Sequence, residues 1–283
     1  MNRKAKVWVY LLIKLAGCVA IALVMLMPFL WMVSTSFKFS KDAIKYPPTL
    51  IPEGGIMAFA GFENYMAVFN DIPFFKYLSN SVIVAVLVTT GTLLTSTLAG
   101  FIFAKYEFKG RTILFFAILG TMMIPFDVVV IPLYLMVRQF GLLNKLAVLI
   151  IPGLVSAYGI FLCRQFMQGM PTALTDAARI DGCSEVGIYV RIILPLSIPV
   201  MSALGIFTFM SNWDSFLWPL LTIDDLTKRT LPLGLSLFRS QFGVAKWNLI
   251  MAGTVLSILP VMLVFLIAQK NFIEGITLSG MKM

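Results

Sequence analysis

The sequence predicts an all-α, polytopic membrane protein with six transmembrane helices and a polar helical loop on the cytoplasmic side, between the fourth helix and the fifth. Three observations lead there. Of 283 residues, 59% are hydrophobic and only 12% are charged, about half the charged share of a typical soluble domain. Six stretches with no charge or a single one are each long enough to cross a hydrocarbon core of about 30 Å at roughly 1.5 Å per residue. The segment DAARIDGCSEVGIYVRIILPLSIP, Asp176 to Pro199, then interrupts the apolar half of the chain with a polar, alanine-containing pattern of two short helices.

The first span runs from Leu15 to Val33. It exceeds the hydrophobic region of a cleaved signal, and bulky Phe29, Leu30 and Trp31 stand where small residues would mark a cleavage site, so it is expected to remain as an anchor. The second is Ser81 to Ala104, and the third, Thr112 to Val137, contains Asp127. The fourth, Leu146 to Cys163, is the shortest, with Lys145 and Arg164 able to snorkel at its ends. The fifth, Ile198 to Ile223, contains Asp214, and the sixth is Leu249 to Ala268.

Arg3, Lys4, Lys6 and Lys14 precede the first span, and Lys105, Lys109 and Arg111 follow the second. The positive-inside rule therefore puts residues 1–14, the loop 164–197 and the tail 269–283 in the cytoplasm. The outer loop Ser34 to Asn80, with Pro47, Pro48, Pro52 and Gly54-Gly55, reads as irregular. The other sizeable outer loop is Asp224 to Asn248.

Composition also narrows the chemistry. Histidine is absent, which removes the commonest metal ligand and general base. Cys18, Cys163 and Cys183 are odd in number and far apart, arguing against a disulfide framework or a zinc site. No metal or cofactor site is expected. The net charge of +9 is scattered through short loops, which suits lipid headgroups rather than nucleic acid.

Within the polar loop, helical periodicity sets Leu174, Ala177, Ala178 and Asp181 on one side, where small residues would let another surface approach. Gly182 is the residue type found just past a helix end, and Ser184 is suited to cap a second helix from Glu185 to about Ile193. Pro195 is expected to stop that helix, and Pro199 to occupy the first turn of the fifth span. Periodicity alone does not distinguish a docking element from an amphipathic loop resting on the membrane.

Asp176-Ala177-Ala178, Asp181-Gly182 and Ile193-Leu194-Pro195 resemble the E-A-A-x-x-x-G-(x)9–10-I-x-L-P signature of permease subunits of binding-protein-dependent ABC importers, with Asp176 replacing the leading Glu. Ile124-Pro125, Ile131-Pro132-Leu133-Tyr134, Phe140-Gly141-Leu142-Leu143-Asn144, Trp213 to Pro219 and Gly275 to Gly280 extend the resemblance to the carbohydrate branch, the smaller permease of maltose-type and multiple-sugar systems.

The resemblance implies a type I ABC importer permease fold in the cytoplasmic (inner) membrane of a bacterium or archaeon. It implies half of a translocation pathway for a sugar, with a di- or oligosaccharide as the expected cargo. A homologous second permease, two ATPase subunits and an extracytoplasmic sugar-binding protein are the implied partners, with membrane lipid around them. The loop would be a coupling helix seated on an ATPase, with Asp176, Ala177, Ala178, Asp181, Gly182, Ile193, Leu194 and Pro195 as its residues and Asp176 paired to a basic ATPase group. ATP and Mg would be bound by the ATPases, since this chain has no G-x-x-x-x-G-K-[ST] phosphate loop. The last outer loop would reach the binding protein through Phe238, Arg239, Gln241 and Phe242, and the tail would reach toward the ATPases.

Intramembrane carboxylates mark a pathway or a buried partner, so Asp127 and Asp214, with Asn212, Trp213 and Trp218, are candidates for a passage or gate; a structural polar cluster is the alternative for Asp214. The Thr89-Thr90-Gly91-Thr92 and Thr95-Ser96-Thr97 groups suit close helix packing. A polyol or glycerol-phosphate-type cargo stays open. An ion-coupled carrier is disfavoured, because no inverted repeat or convergent ionisable cluster is visible. A membrane-embedded enzyme is likewise disfavoured by the absence of a nucleophile–base pair.

Overall fold

The computed structural model describes residues 3–240 and 245–280. Among them the regular structure is helical, with no strand. In chain order the α-helices are α1 (Arg3–Ser36), α2 (Ser40–Ala43), α3 (Glu63–Asp71), α4 (Phe74–Lys105), α5 (Arg111–Thr121), α6 (Phe126–Gln139), α7 (Ala147–Ile150), α8 (Ala157–Gln168), α9 (Thr172–Ile180) and α10 (Glu185–Ile188). They continue with α11 (Leu194–Leu196), α12 (Ile198–Trp213), α13 (Leu217–Thr222), α14 (Leu231–Leu235), α15 (Leu237–Ser240) and α16 (Trp247–Gly280).

Four stretches are long and apolar enough to cross a membrane: Tyr10–Ser36, Phe74–Lys105, Ala147–Gln168 and Trp247–Ile267. Two bent pairs are long and apolar enough when taken together: α5 with α6, at 97°, and Glu185–Leu196 with α12, at 75°. The count reaches six when each pair is one crossing. The chain divides into two compact units, residues 1–73 with 235–258, and residues 74–234 with 259–283.

In the first unit, α1 presents its apolar surface outward, with none of its most hydrophobic window buried. The loop after it is strapped rather than loose. Buried Asn64 on α3 donates to the carbonyls of Ser36 and Lys38, both at 2.8 Å, and accepts from Asn248 Nδ2 at 2.8 Å. The Lys38 side chain is itself buried and donates to the Thr49 carbonyl. Burial lowers its pKa below the ordinary lysine value, partly offset by Asp42. Phe37, Phe62 and Tyr65 close this corner with ring contacts of 5.2 to 6.0 Å.

The second unit is organised by α4, which packs along α8 and α12. Glycine permits the approach. A Cβ on Gly100 would lie 2.6 Å from Cys163 Cβ, and one on Gly159 would lie 2.3 Å from Ser96 Oγ, which is the close backbone approach that small residues allow between membrane helices.

The fourth apolar run is not one regular helix. After α7 a 3-10 turn, Ile151–Leu154, contains Pro152; Val155 is extended, and Ser156 then caps α8 by accepting the Gly159 N–H at 3.1 Å. Such a break frees carbonyls that water cannot satisfy in a bilayer. Thr92 Oγ1 donates to the Gly153 carbonyl and Thr95 Oγ1 to the Leu154 carbonyl, each at 2.7 Å. The threonine clusters thus hold the break as well as packing.

The third apolar run also departs from a single straight helix: α5 ends at Thr121 and α6 begins after Pro125. Proline disfavours helical geometry in the residue before it, and Pro125 itself is extended at ψ 142°. The fifth run ends its helix at Trp213, and α13 is a separate element. Helix α16 continues past Ala268 to Gly280.

One corner ties these pieces together. Gly141 and Asn144 adopt left-handed backbone, φ 65° and 58°. Asn144 Oδ1 accepts the N–H groups of Asp224 (2.6 Å) and Asp225 (3.0 Å), while its own N–H donates to the Thr222 carbonyl at 3.0 Å. Asn80 Nδ2 completes the strap by donating to the Thr227 and Arg229 carbonyls.

The double substitution Thr92→Val with Thr95→Val keeps side-chain shape but orphans two carbonyls, at about 0.6 to 2 kcal/mol each. A clearly lowered thermal midpoint of the detergent-purified protein is expected, whereas Ser96→Ala, whose hydroxyl has no partner, should change it little.

Candidate functional site

The loop between α8 and α12 folds as two helices at a sharp turn. Helix α9 ends in a left-handed glycine, Gly182 at φ 76°. Its N–H donates to the Arg179 carbonyl at 3.0 Å, and the Cys183 N–H donates to the Ala178 carbonyl at 2.9 Å, the paired bonds that close a helix C-terminus. Ser184 then caps α10, its Oγ accepting from the Gly187 N–H at 3.2 Å. A Cβ on Gly182 would meet nothing within 4 Å, so the outside of the turn is open.

Pro195 does not stop the second helix. The chain continues through a π turn, Tyr189–Ile193, and α11, ending at Leu196. Proline provides no N–H for the carbonyl four residues earlier, and the wider turn before it absorbs that mismatch. Pro199 does stand in the first turn of α12. Ser197 marks the bend, with its N–H and Oγ both donating to the Ile193 carbonyl, at 2.9 and 2.7 Å.

The predicted single face of α9 is divided. Ala178 and Thr175 are buried toward the bundle, with Ala178 joining Phe101, Cys163, Met167, Ile188, Ile193 and Leu204 in one apolar cluster. Leu174, Asp176, Ala177, Asp181 and Gly182 face outward. Ile193 is buried, Leu194 half-buried and Pro195 exposed. Two outward apolar residues escaped the sequence reading: Ile180 is 86% exposed and Val186 73% exposed.

Asp176 already has a partner within the chain. Arg179 binds Asp176 Oδ1 at 3.0 Å and Glu185 Oε1 at 2.8 Å, joining α9 to α10. Tyr106, just past α4, donates its hydroxyl to Glu185 and lies beneath the Arg179 guanidinium at 5.8 Å. The bond to Glu185 raises the Arg179 pKa. Exposed pairs are individually worth little, but here one guanidinium fixes two helices against a third. Nothing in the spacing of Tyr106, Arg179 and Glu185 along the chain marks them as a set.

The second unit also contains two adjoining cavities. One, of about 570 Å³, is lined by Phe126, Asp127, Ser211, Asn212, Ser215 and Trp218, among others. The other, about 350 Å³, shares Gly153, Ser211 and Asn212 and adds Thr92, Ser156, Tyr158, Phe207 and Thr208. Asn212 spends its amide on the Thr208 carbonyl at 2.8 Å, and Trp218 donates to the Val148 carbonyl at 3.0 Å.

Of the five sequence candidates for a passage, the structure brings Asp127, Asn212 and Trp218 to this cavity and leaves two aside. Trp213 is buried and stacks on Phe209 at 5.6 Å. Asp214 is exposed beyond the end of α12 and lines neither cavity. Among the outer-loop candidates Phe238 is buried, which removes it from any contact surface, and Arg239 is exposed. Gln241 and Phe242 lie outside the described residues.

Comparison with known proteins agrees with this architecture. The family model described as "Binding-protein-dependent transport system inner membrane component" matches residues 96–277. The arabinooligosaccharides transport system permease protein AraQ of Bacillus subtilis (strain 168) is 36% identical over 263 residues, covering 93% of this chain and 92% of AraQ. The trehalose/maltose transport system permease protein MalG of Thermococcus litoralis is 32% identical over 270 residues, covering 94% of this chain and 95% of MalG. A crystal structure of a bacterial ABC transporter that imports the acidic polysaccharide alginate aligns with a TM-score of 0.79 at 22% identity, over 96% of this chain and 99% of that one; at that identity the likeness concerns the fold. The chain therefore belongs to the binding-protein-dependent transport system inner membrane components, as a multi-pass membrane permease.

Proposed function

We propose that this chain forms half of the translocation pathway of an ATP-driven importer for a di- or oligosaccharide. The observation that carries the reading is the α9–Gly182–α10 hairpin: a rigid, outward-facing plug tied to α4 through Tyr106. Its exposed Leu174, Ile180 and Val186 suit docking into an apolar cleft of a cytoplasmic ATPase. The sugar-transport names of the relatives support the cargo class.

In this reading a homologous permease supplies the other half of the passage, and two ATPases bind ATP and Mg. An extracytoplasmic binding protein delivers the sugar, with Arg239 as a contact. Both termini face the cytoplasm of a bacterial or archaeal cell. Closure of the ATPases moves the hairpin as a unit, and the apolar cluster beneath it passes the displacement to α4, α8 and α12. Asp176 acts by bracing Arg179, with its remaining exposed oxygen open to an ATPase cation.

Affinity purification of the chain from its native membrane is expected to bring down a soluble ATPase; recovery of the chain without one, in active membranes, would overturn the reading. Gly182→Asp should abolish substrate-stimulated ATP hydrolysis or assembly with membrane insertion intact. Backbone strain there is only about 1 to 2 kcal/mol, and the open space around the turn leaves the docked partner to meet the new side chain. Normal uptake by this variant would contradict the docking role.

Arg179→Ala should loosen the hairpin without unfolding the bundle. Backbone amides of residues 172–188 are expected to exchange hydrogen several-fold faster, with coupled ATP hydrolysis reduced and Arg179→Lys intermediate, because an ammonium lacks the planar fork that holds two carboxylates.

A further inference from the structure

The two adjoining cavities have a one-sided charge. Their walls carry the hydroxyl residues Thr92, Ser156, Tyr158, Thr208, Ser211 and Ser215 and the side-chain carbonyl of Asn212, but no Lys or Arg lines either of them. Their one formal charge is the Asp127 carboxylate. Unlike Asp176, it has no intrachain hydrogen bond or ion pair among the described residues. It stands in the first turn of α6, two residues after Pro125, where the helix N-terminus favours negative charge. Apolar Phe126, Leu133, Leu149, Phe216 and Leu217 share its cavity; Asp127 itself is exposed, and beside such walls its charge is less screened than in bulk water.

We propose that Asp127 makes this half of the passage selective by charge: neutral oligosaccharides and amino sugars are admitted, and uronates and sugar phosphates are held back. The proposal rests on the reading of these cavities as the passage. A neutral sugar gains from the carboxylate, whose two oxygens accept hydrogen bonds from its hydroxyls, while aromatic Tyr158, Phe207 and Phe126 offer faces to the sugar's C–H surface. A carboxylated or phosphorylated sugar meets like charge with no cation on this wall to offset it. The specificity is therefore one of sign rather than of sugar identity.

The test needs no knowledge of the natural cargo. In the assembled importer, with Cys18, Cys163 and Cys183 replaced by serine, Ser211→Cys puts a reporter thiol on the wall shared by both cavities. Its reaction rates with the cation trimethylammonioethyl methanethiosulfonate and the anion sulfonatoethyl methanethiosulfonate are each normalised to a free small-molecule thiol. A cation preference on the order of ten-fold is expected for a carboxylate in the same cavity. Asp127→Asn should bring it close to that of the free thiol, and Asp127→Glu should retain it. An unchanged preference in Asp127→Asn would overturn the charge filter while leaving the passage intact. Failure of both reagents to reach the reporter in vesicles whose assembled importer hydrolyses ATP would instead overturn the passage reading itself.

Discussion

The structure depends on hydrogen bonds from α4 to a broken helix. The stretch around Pro152 leaves the carbonyls of Gly153 and Leu154 without helical partners, and Thr92 and Thr95 supply them. In hydrocarbon an unsatisfied carbonyl is costly, so this pairing fixes where α4 lies along the fourth span. Gly100 and Gly159 then allow the backbones of α4 and α8 to close. The same break exposes Gly153 and Ser156 to the cavities, so the device that pins the bundle also opens its polar interior.

Much of this was legible in the sequence because it obeys one-dimensional rules. Spans follow from apolar length, and the turn at Gly182 follows from left-handed backbone needing glycine. Ser184 and Pro199 stand where their capping and first-turn preferences put them. The family resemblance shares Gly182 with these positions and otherwise rested on Asp176-Ala177-Ala178, Asp181 and Ile193-Leu194-Pro195. The size of the bends was not legible: Thr112 to Val137 is apolar apart from Asp127 and two threonines, and hydropathy counts residues without registering the 97° turn between α5 and α6 at Pro125.

The site divides in the same way. Asp127, Asn212 and Trp218 come together although 85 residues separate Asp127 from Asn212 in the chain (212 − 127). Trp213 looked equivalent to its neighbours, yet helical rotation turns it into the core against Phe209. On α9, Ala177 and Ala178 are adjacent in sequence and about 100° apart around the helix, one outward and one in the cluster around Met167. The bracing by Tyr106, Arg179 and Glu185 was invisible because it joins three elements whose relative placement no local pattern encodes.

The 75° bend at Ser197 has a mechanical consequence. A thrust along the axis of Glu185–Leu196 is resolved at that elbow, and only about one quarter of it, the cosine of 75°, continues along α12. Nearly all of it acts crosswise, as torque. In the docking proposed above, the hairpin and α12 would work as a crank, a short stroke at the hairpin becoming a sideways swing of a sixteen-residue arm whose far end carries Ser211 and Asn212.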